Sequence, residues 1–87
     1  MSLTLIGFSA EWCGPCRMLK PIVEKVAARN SDVTFETVDI DEHPEVAQQM
    51  QVGAVPTLVF VKNGQVVDVM IGLYKEQAIE DTSNKWR

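Results

Sequence analysis

The stretch Trp12-Cys13-Gly14-Pro15-Cys16 decides the fold of this chain of 87 residues and holds both of its cysteines. A short apolar run, Leu3 to Phe8, precedes the stretch and is typical of a buried strand. After it, apolar residues recur at the spacing of a helix, at Leu19, Ile22, Val23, Val26 and Ala27. The cysteines therefore lie at or near a helix N-terminus, where unpaired N–H groups and the helix dipole favour a thiolate.

The composition narrows the class of protein. Hydrophobic residues make up 46% and charged residues 23% of the chain, so we expect residues 1–87 to form a single globular domain. The net charge of −4 and the lack of a basic run argue against a nucleic-acid partner. No apolar run suggests a signal peptide or a membrane span. Two cysteines cannot form a stapling disulfide framework, which makes a reducing, cytoplasmic location the default expectation.

The order of the predicted elements indicates an α/β fold. The first helix runs from about Cys13 or Pro15 to Ala28 or Arg29, with Pro21 inside it. The other predicted elements are strands over Leu3–Phe8, Val33–Ile40, Thr57–Val61 and Val66–Ile71, a short helix from Pro44, and a helix over Lys75–Lys85. The dipeptide Asn63-Gly64 predicts a tight hairpin. The order β-α-β-α-β-β-α, with right-handed crossovers, predicts a four-stranded mixed sheet with helices on both faces.

The sequence also predicts whether particular side chains are exposed or buried. Polar residues interrupt Val33–Ile40, which suggests an edge strand, and polar edges oppose intermolecular pairing, so we expect a monomer. Met18 and Met50 are expected to be ordinary packing groups. The inward side of the last helix is expected to consist of Ala78, Ile79, Thr82 and Trp86.

The cysteine pair has three chemical interpretations: a redox pair, half of a zinc site, or two inert buried thiols. The last is disfavoured because the glycine and proline between the cysteines belong to a loop-to-helix turn. A closed structural zinc site needs four ligands, and this chain offers only His43 besides the two thiols. His43 stands beside a proline at a helix start, which is typical of a surface residue. A redox pair is the favoured interpretation, because Cys-x-x-Cys in an α/β protein is typical of thiol–disulfide exchange.

Pro56 and Trp12 each leave two alternatives open. Pro56 is either a plain loop proline that precedes a strand or a cis proline packed against the cysteines, since cis X–Pro bonds are rare and mark specific sites. Trp12 is either a core residue or an exposed flat surface beside the thiols.

The cysteine motif and its surroundings resemble the thioredoxin family. The resemblance covers nearly the whole chain with the right order and spacing, and it is carried by Trp12-Cys13-Gly14-Pro15-Cys16, the preceding Ala10-Glu11, Pro21, Asp39-Ile40-Asp41, Val55-Pro56-Thr57, Lys62-Asn63-Gly64 and Gly72.

The resemblance implies a minimal thioredoxin fold and a protein-disulfide reductase. Cys13 would be the nucleophile, Cys16 the resolving thiol and Pro56 a cis proline facing them. The groove that receives a substrate segment would be bordered by Trp12, Gly14, Pro15, Val55, Pro56 and Gly72. The implied electron donor is an NADPH-dependent thioredoxin reductase, and no metal or bound cofactor is implied. Gly-Pro between the cysteines makes a glutathione-using relative a less favoured interpretation.

The sequence also departs from the family pattern. It opens at what resembles the family's central strand, so the usual N-terminal strand and helix are expected to be absent. Gly7 stands where the family has a buried aspartate, and Thr37 where a lysine neighbours that aspartate; Ser9 replaces a common second tryptophan. We therefore expect Cys16 to lose its proton to water or to the departing thiolate, not to a buried acid.

One alternative from another functional class is a non-catalytic binding module. In that case the groove around Trp12 and Pro56 would hold a partner protein, and the thiols would be incidental.

Overall fold

Four strands and three helices follow one another in the predicted order. The computed structural model describes residues 2–87. Its elements are β1 (Leu3–Ser9), α1 (Gly14–Arg29), β2 (Val33–Asp39), α2 (Pro44–Gln49), β3 (Thr57–Lys62), β4 (Gln65–Ile71) and α3 (Glu76–Trp86). Within this described range, none of the helices has the length and apolar character that crossing a membrane requires.

The sheet has the strand order β2-β1-β3-β4, with β1 in the interior. Strand β1 runs parallel to β2, antiparallel pairing joins β1 to β3, and β3 pairs antiparallel with β4. In this register Gly7 lies between Thr37 on β2 and Leu58 on β3. The predicted four-stranded mixed sheet is confirmed.

Helices cover both faces of the sheet, as the sequence predicts. The larger cluster of buried side chains joins α1 and α3 to one face and includes Leu5, Val23, Phe60 and Ile79. A smaller cluster places Ala47 of α2 on the opposite face, against Phe8 and Val59. Consecutive residues of a strand point to opposite faces, which is why Leu58 and Phe60 belong to the first cluster and Val59 to the second.

A two-residue turn connects β3 to β4. Asn63 has φ +54° and Gly64 has φ +77°. Positive φ at both central positions is what the primed hairpin turn requires, and its twist matches that of the flanking strands. The hairpin predicted from Asn63-Gly64 is confirmed.

Strand β2 forms one edge of the sheet in the described part of the chain. Thr34 and Glu36 are exposed along it, as expected for an edge that discourages pairing with another chain. The edge position is confirmed, and the monomeric state stays a prediction.

Two side-chain expectations need correction. Met18 is 60% exposed and is not a packing group, whereas Met50 packs against the smaller core cluster. On α3, Ile79 is fully buried as expected, but the other fully buried residue is Ser83. The hydroxyl of Ser83 has no hydrogen-bond partner within residues 2–87.

Ion pairs connect the end of α1 to α3. Arg29 pairs with Glu76 and, at 2.7 Å, with Glu80, and the Asn30 side chain donates to Glu80 at 3.1 Å. Farther along, Arg87 pairs with Asp32 at 2.7 Å. The hydrogen bond from Arg29 lowers the pKa of Glu80 below its ordinary value of 4.5.

We expect Glu80→Gln to lower stability at neutral pH and to have little effect in acid. A carboxyl whose pKa is lowered by folding stabilises the fold above its unfolded pKa of 4.5, and this contribution is lost as the pH falls through the folded pKa. Urea unfolding between about pH 7 and about pH 3 measures the difference. Glu24→Gln, at an exposed position of α1, is the matched control. A difference between wild type and Glu80→Gln that does not change with pH would contradict this account.

Candidate functional site

The first turn of α1 positions the two cysteines. The helix begins at Gly14, Cys13 is its N-cap residue, and Pro15 stands in the first turn, where a missing N–H costs no helical hydrogen bond. The N–H of Cys13 donates to the carbonyl of Ala10 at 3.1 Å, which closes the turn between β1 and α1. The predicted strand-to-helix junction is confirmed.

Cys13 and Cys16 form a disulfide, with their Cα atoms 5.4 Å apart. The backbone N–H of Cys16 donates to Sγ of Cys13 at 3.3 Å. A donor aimed at this sulfur, together with the helix N-terminus, favours the anionic form of Cys13 once the disulfide is reduced. The pair is therefore arranged for thiol–disulfide exchange.

The two cysteines are almost equally buried and belong to the same packing cluster. Cys13 is 5% exposed and Cys16 is 7% exposed in the disulfide form. Both pack with Ala10, and Ile40 and Val55 lie against this small cluster. Overall exposure thus does not distinguish the two thiols; their positions on α1 do.

The Val55–Pro56 peptide bond is cis, as the sharper of the two alternatives for Pro56 predicts. Pro56 is buried, and its carbonyl accepts a hydrogen bond from the N–H of Gly72 at 2.9 Å. Gly72 has φ +105°, a conformation that favours glycine. The hydroxyl of Thr57 donates to the carbonyl of Ala54 at 2.7 Å on the other side of the proline.

Trp12 is a surface residue, 68% exposed, so its core alternative is wrong. Its indole N–H donates to Oδ2 of Asp41 at 2.8 Å. Asp39 holds the loop that carries Asp41, because its Oδ1 accepts from the N–H of Asp41 at 2.8 Å and of Glu42 at 3.2 Å. Sequence reasoning noticed Asp41 only as part of a motif and missed its contact with the tryptophan.

The residues predicted to border the substrate groove lie on three segments. Trp12, Gly14 and Pro15 are exposed beside the cysteines, and Val55 packs against the cysteine cluster. Pro56 and Cys16 line one cavity, and Gly72 is tied to Pro56 by the hydrogen bond given above. Substrate contact by these residues stays a prediction.

A cavity of about 140 Å³ lies beside Cys16, between α1 and the face of β1 and β2. Its apolar wall includes Gly7, Leu19, Val23 and Phe35. A Cβ atom on Gly7 would approach Cε1 of Phe35 to 3.0 Å, so this aromatic ring occupies the space next to the glycine. Sequence reasoning singled out Gly7 but missed Phe35; the missing side chain at position 7 was the available signal.

The zinc interpretation requires His43 near the thiols. Instead, His43 is exposed and its Nδ1 faces Glu45 at 3.6 Å. Among residues 2–87, the group with ligand atoms close enough to share an ion consists of Glu11, Asp39 and Glu42, and it contains neither thiol nor His43.

Comparison with known proteins gives consistent results. The family model described as Thioredoxin matches residues 1–85. The chain is 46% identical over 77 residues to a thioredoxin of Chlamydia caviae, covering 88% of this chain and 76% of that protein. It is 44% identical over 75 residues to thioredoxin H2 of Arabidopsis thaliana, but there it spans only 56% of the relative.

Solved structures show the same similarity. The X-ray structure of Fasciola hepatica thioredoxin superposes with a TM-score of 0.92 at 38% identity, covering 99% of this chain and 82% of that one.

Gly7→Asp tests the surroundings of Cys16. We expect it to destabilise the fold by roughly 1–3 kcal/mol at about pH 8, because a carboxylate would be placed against an apolar wall. Burial raises the folded pKa above the unfolded value of about 3.9, so the penalty grows as the pH climbs past that value. Denaturant unfolding at about pH 4 and about pH 8 measures it.

Gly7→Ala is the control for this substitution. It meets the same ring of Phe35 without adding a charge, so its effect should be equal at both pH values. A Gly7→Asp protein that is equally stable at both values would contradict the expectation.

Proposed function

The chain belongs to the thioredoxin family and is a dithiol–disulfide oxidoreductase that acts on protein disulfides, and on this basis we propose that Cys13 is its nucleophile and Cys16 its resolving thiol. The observation that carries the assignment is the hydrogen bond from the N–H of Cys16 to Sγ of Cys13. Cys13 is also the N-cap of α1, whereas Cys16 is the third residue of the helix. Cys13 therefore has the surroundings that stabilise a thiolate.

The proposed reaction has two exchange steps. The thiolate of Cys13 attacks one sulfur of the substrate disulfide; a mixed disulfide forms, and the other substrate sulfur leaves as a thiolate. Cys16 then loses its proton and attacks Sγ of Cys13, which releases the second substrate sulfur. The substrate gains two electrons, and the enzyme is left with the Cys13–Cys16 disulfide, the form that the structure contains.

We propose that the substrate segment lies in the groove bordered by Trp12, Gly14, Pro15, Val55, Pro56 and Gly72. Trp12 supports this proposal because its large exposed ring is held in one orientation by Asp41. Such a preorganised aromatic surface can contact a partner at a low entropy cost.

Water is the proposed acceptor of the Cys16 proton. The residue beside the cavity at position 7 is a glycine and so offers no carboxylate. The cavity is partly open and exposed residues, among them Thr37, border it, so solvent can approach Cys16. The departing substrate thiolate is the second proposed acceptor.

We further propose that residues 1–87 act as one monomeric domain in a reducing compartment, the cytoplasm, with an NADPH-dependent thioredoxin reductase as electron donor. After each turnover the Cys13–Cys16 disulfide must be reduced again, and the redox potential of a reducing compartment permits that reduction.

The cysteine roles predict opposite behaviour of two variants. Cys16→Ser should accumulate a mixed disulfide with a protein substrate, because the resolving thiol is missing, while Cys13→Ser should form none. Non-reducing mass spectrometry measures both species, and the double variant is the control. Trapping by Cys13→Ser would reverse the assignment. A Cys13→Ser protein that keeps its biological activity would instead favour the non-catalytic binding module.

The electron donor can be tested separately. With a thioredoxin reductase and NADPH, the wild-type protein should support continuous reduction of a protein disulfide, followed as loss of NADPH absorbance. Glutathione with glutathione reductase, in place of the thioredoxin reductase and followed by the same loss of NADPH absorbance, should sustain much less turnover. Faster turnover with glutathione would contradict the proposed donor.

A further inference from the structure

The cavity beside Cys16 has a wall without buried charge. Two residues of α1, Leu19 and Val23, form one side, and Phe35 of β2 and Leu58 of β3 contribute to the other. The charged residues that border it, Glu11, Arg17 and Lys20, are all exposed. The interior therefore presents carbon atoms almost throughout.

The size of this space matches one aromatic ring. It measures about 140 Å³, and an apolar cavity of about 150 Å³ is large enough to bind benzene. Water in such a space finds few polar partners and is weakly held, so an apolar group that displaces it gains free energy. The open side of the cavity provides an entry path.

We propose that this cavity binds small uncharged molecules with a single aromatic ring, and that an occupied cavity slows the resolving step of Cys16. The second part rests on the proposed function, since it requires Cys16 to be the resolving thiol. Cys16 contributes to the described wall of the cavity and Cys13 does not.

The effect on the reaction follows from desolvation. An apolar occupant removes water from the Cys16 side and so disfavours its thiolate. Less thiolate is then available to attack Sγ of Cys13. The first step uses Cys13 at the helix N-terminus and is left unchanged.

Toluene is a suitable probe for binding. Amide NMR of the oxidised protein should show saturable shifts at Gly7, Cys16, Phe35 and Thr37. Thr37→Leu, which enlarges a side chain at the cavity border, should weaken binding about tenfold or more, a change of about 1.4 kcal/mol. Thr34→Leu places the same substitution at an exposed position outside the cavity border and should leave affinity within about twofold of wild type.

The proposed binding would be overturned by amide chemical-shift changes that do not saturate with toluene. Changes at residues away from the cavity, for example at the exposed valines of β4, would overturn it as well. Equal loss of affinity in Thr37→Leu and Thr34→Leu would also overturn it. This measurement uses the disulfide form and therefore does not depend on which cysteine attacks.

The kinetic effect is measured by stopped flow with reduced protein and an aromatic disulfide, dithiobis(nitrobenzoate). Attack by Cys13 releases one thionitrobenzoate anion, and attack by Cys16 on the mixed disulfide releases the second. Saturating toluene should slow the second phase severalfold and leave the first unchanged. Thr37→Leu should show no such slowing.

The two parts of the inference can fail separately. An unchanged second phase despite saturable binding would overturn the effect on resolution. Trapping of substrate by Cys13→Ser would overturn the cysteine assignment itself and leave the binding result standing.

Discussion

The pairing of β1 with β2 on one side and β3 on the other is the constraint on which the site depends. Phe8 pairs with Thr57 and Ser9 with Asp39, so the end of β1, the end of β2 and the start of β3 meet at one edge of the sheet. The cysteine turn follows the first of these, the loop of Asp41 follows the second, and Pro56 precedes the third. Three segments that are far apart in sequence thus lie side by side, because the strand register fixes where each strand begins and ends.

Gly7 shows how a change beneath the site can leave the site's chemistry in place. A larger side chain there would meet Phe35, whose ring fills part of the space between β1 and α1. The ring of Phe35 takes part of the space that a side chain at position 7 would occupy. The rest of the space is not filled by side chains and forms the cavity beside Cys16. The geometry of the cysteine turn comes from the helix N-terminus and from the hydrogen bond of Cys13 to Ala10, and neither involves position 7.

Most helices and strands and the hairpin could be predicted from sequence, because they depend on residues that are close together in the chain. Asn63-Gly64 dictates its own turn, and the apolar spacing of α1 and the alternation in the strands follow from helix and strand geometry. The position of the cysteine pair at a helix N-terminus could also be predicted from sequence. What could not be predicted depends on contacts between distant residues: the partner of Trp12, the ring beside Gly7, and the burial of Ser83. The isomer of Pro56 belongs to the same group, because tertiary context selects between two states of similar energy.

The asymmetry of the cysteine pair also comes from tertiary context. Both residues are buried to nearly the same degree, so a difference in access alone cannot separate their roles in this form. The Cys13 sulfur accepts a hydrogen bond from the N–H of Cys16 at the helix N-terminus, which favours negative charge, whereas Cys16 faces an apolar cavity that disfavours it. A thiol that stays protonated until the mixed disulfide has formed is what a resolving group needs, because early ionisation would make it compete for substrate. The apolar space beside Cys16 therefore supports the proposed order, in which Cys13 attacks the substrate and Cys16 resolves the mixed disulfide.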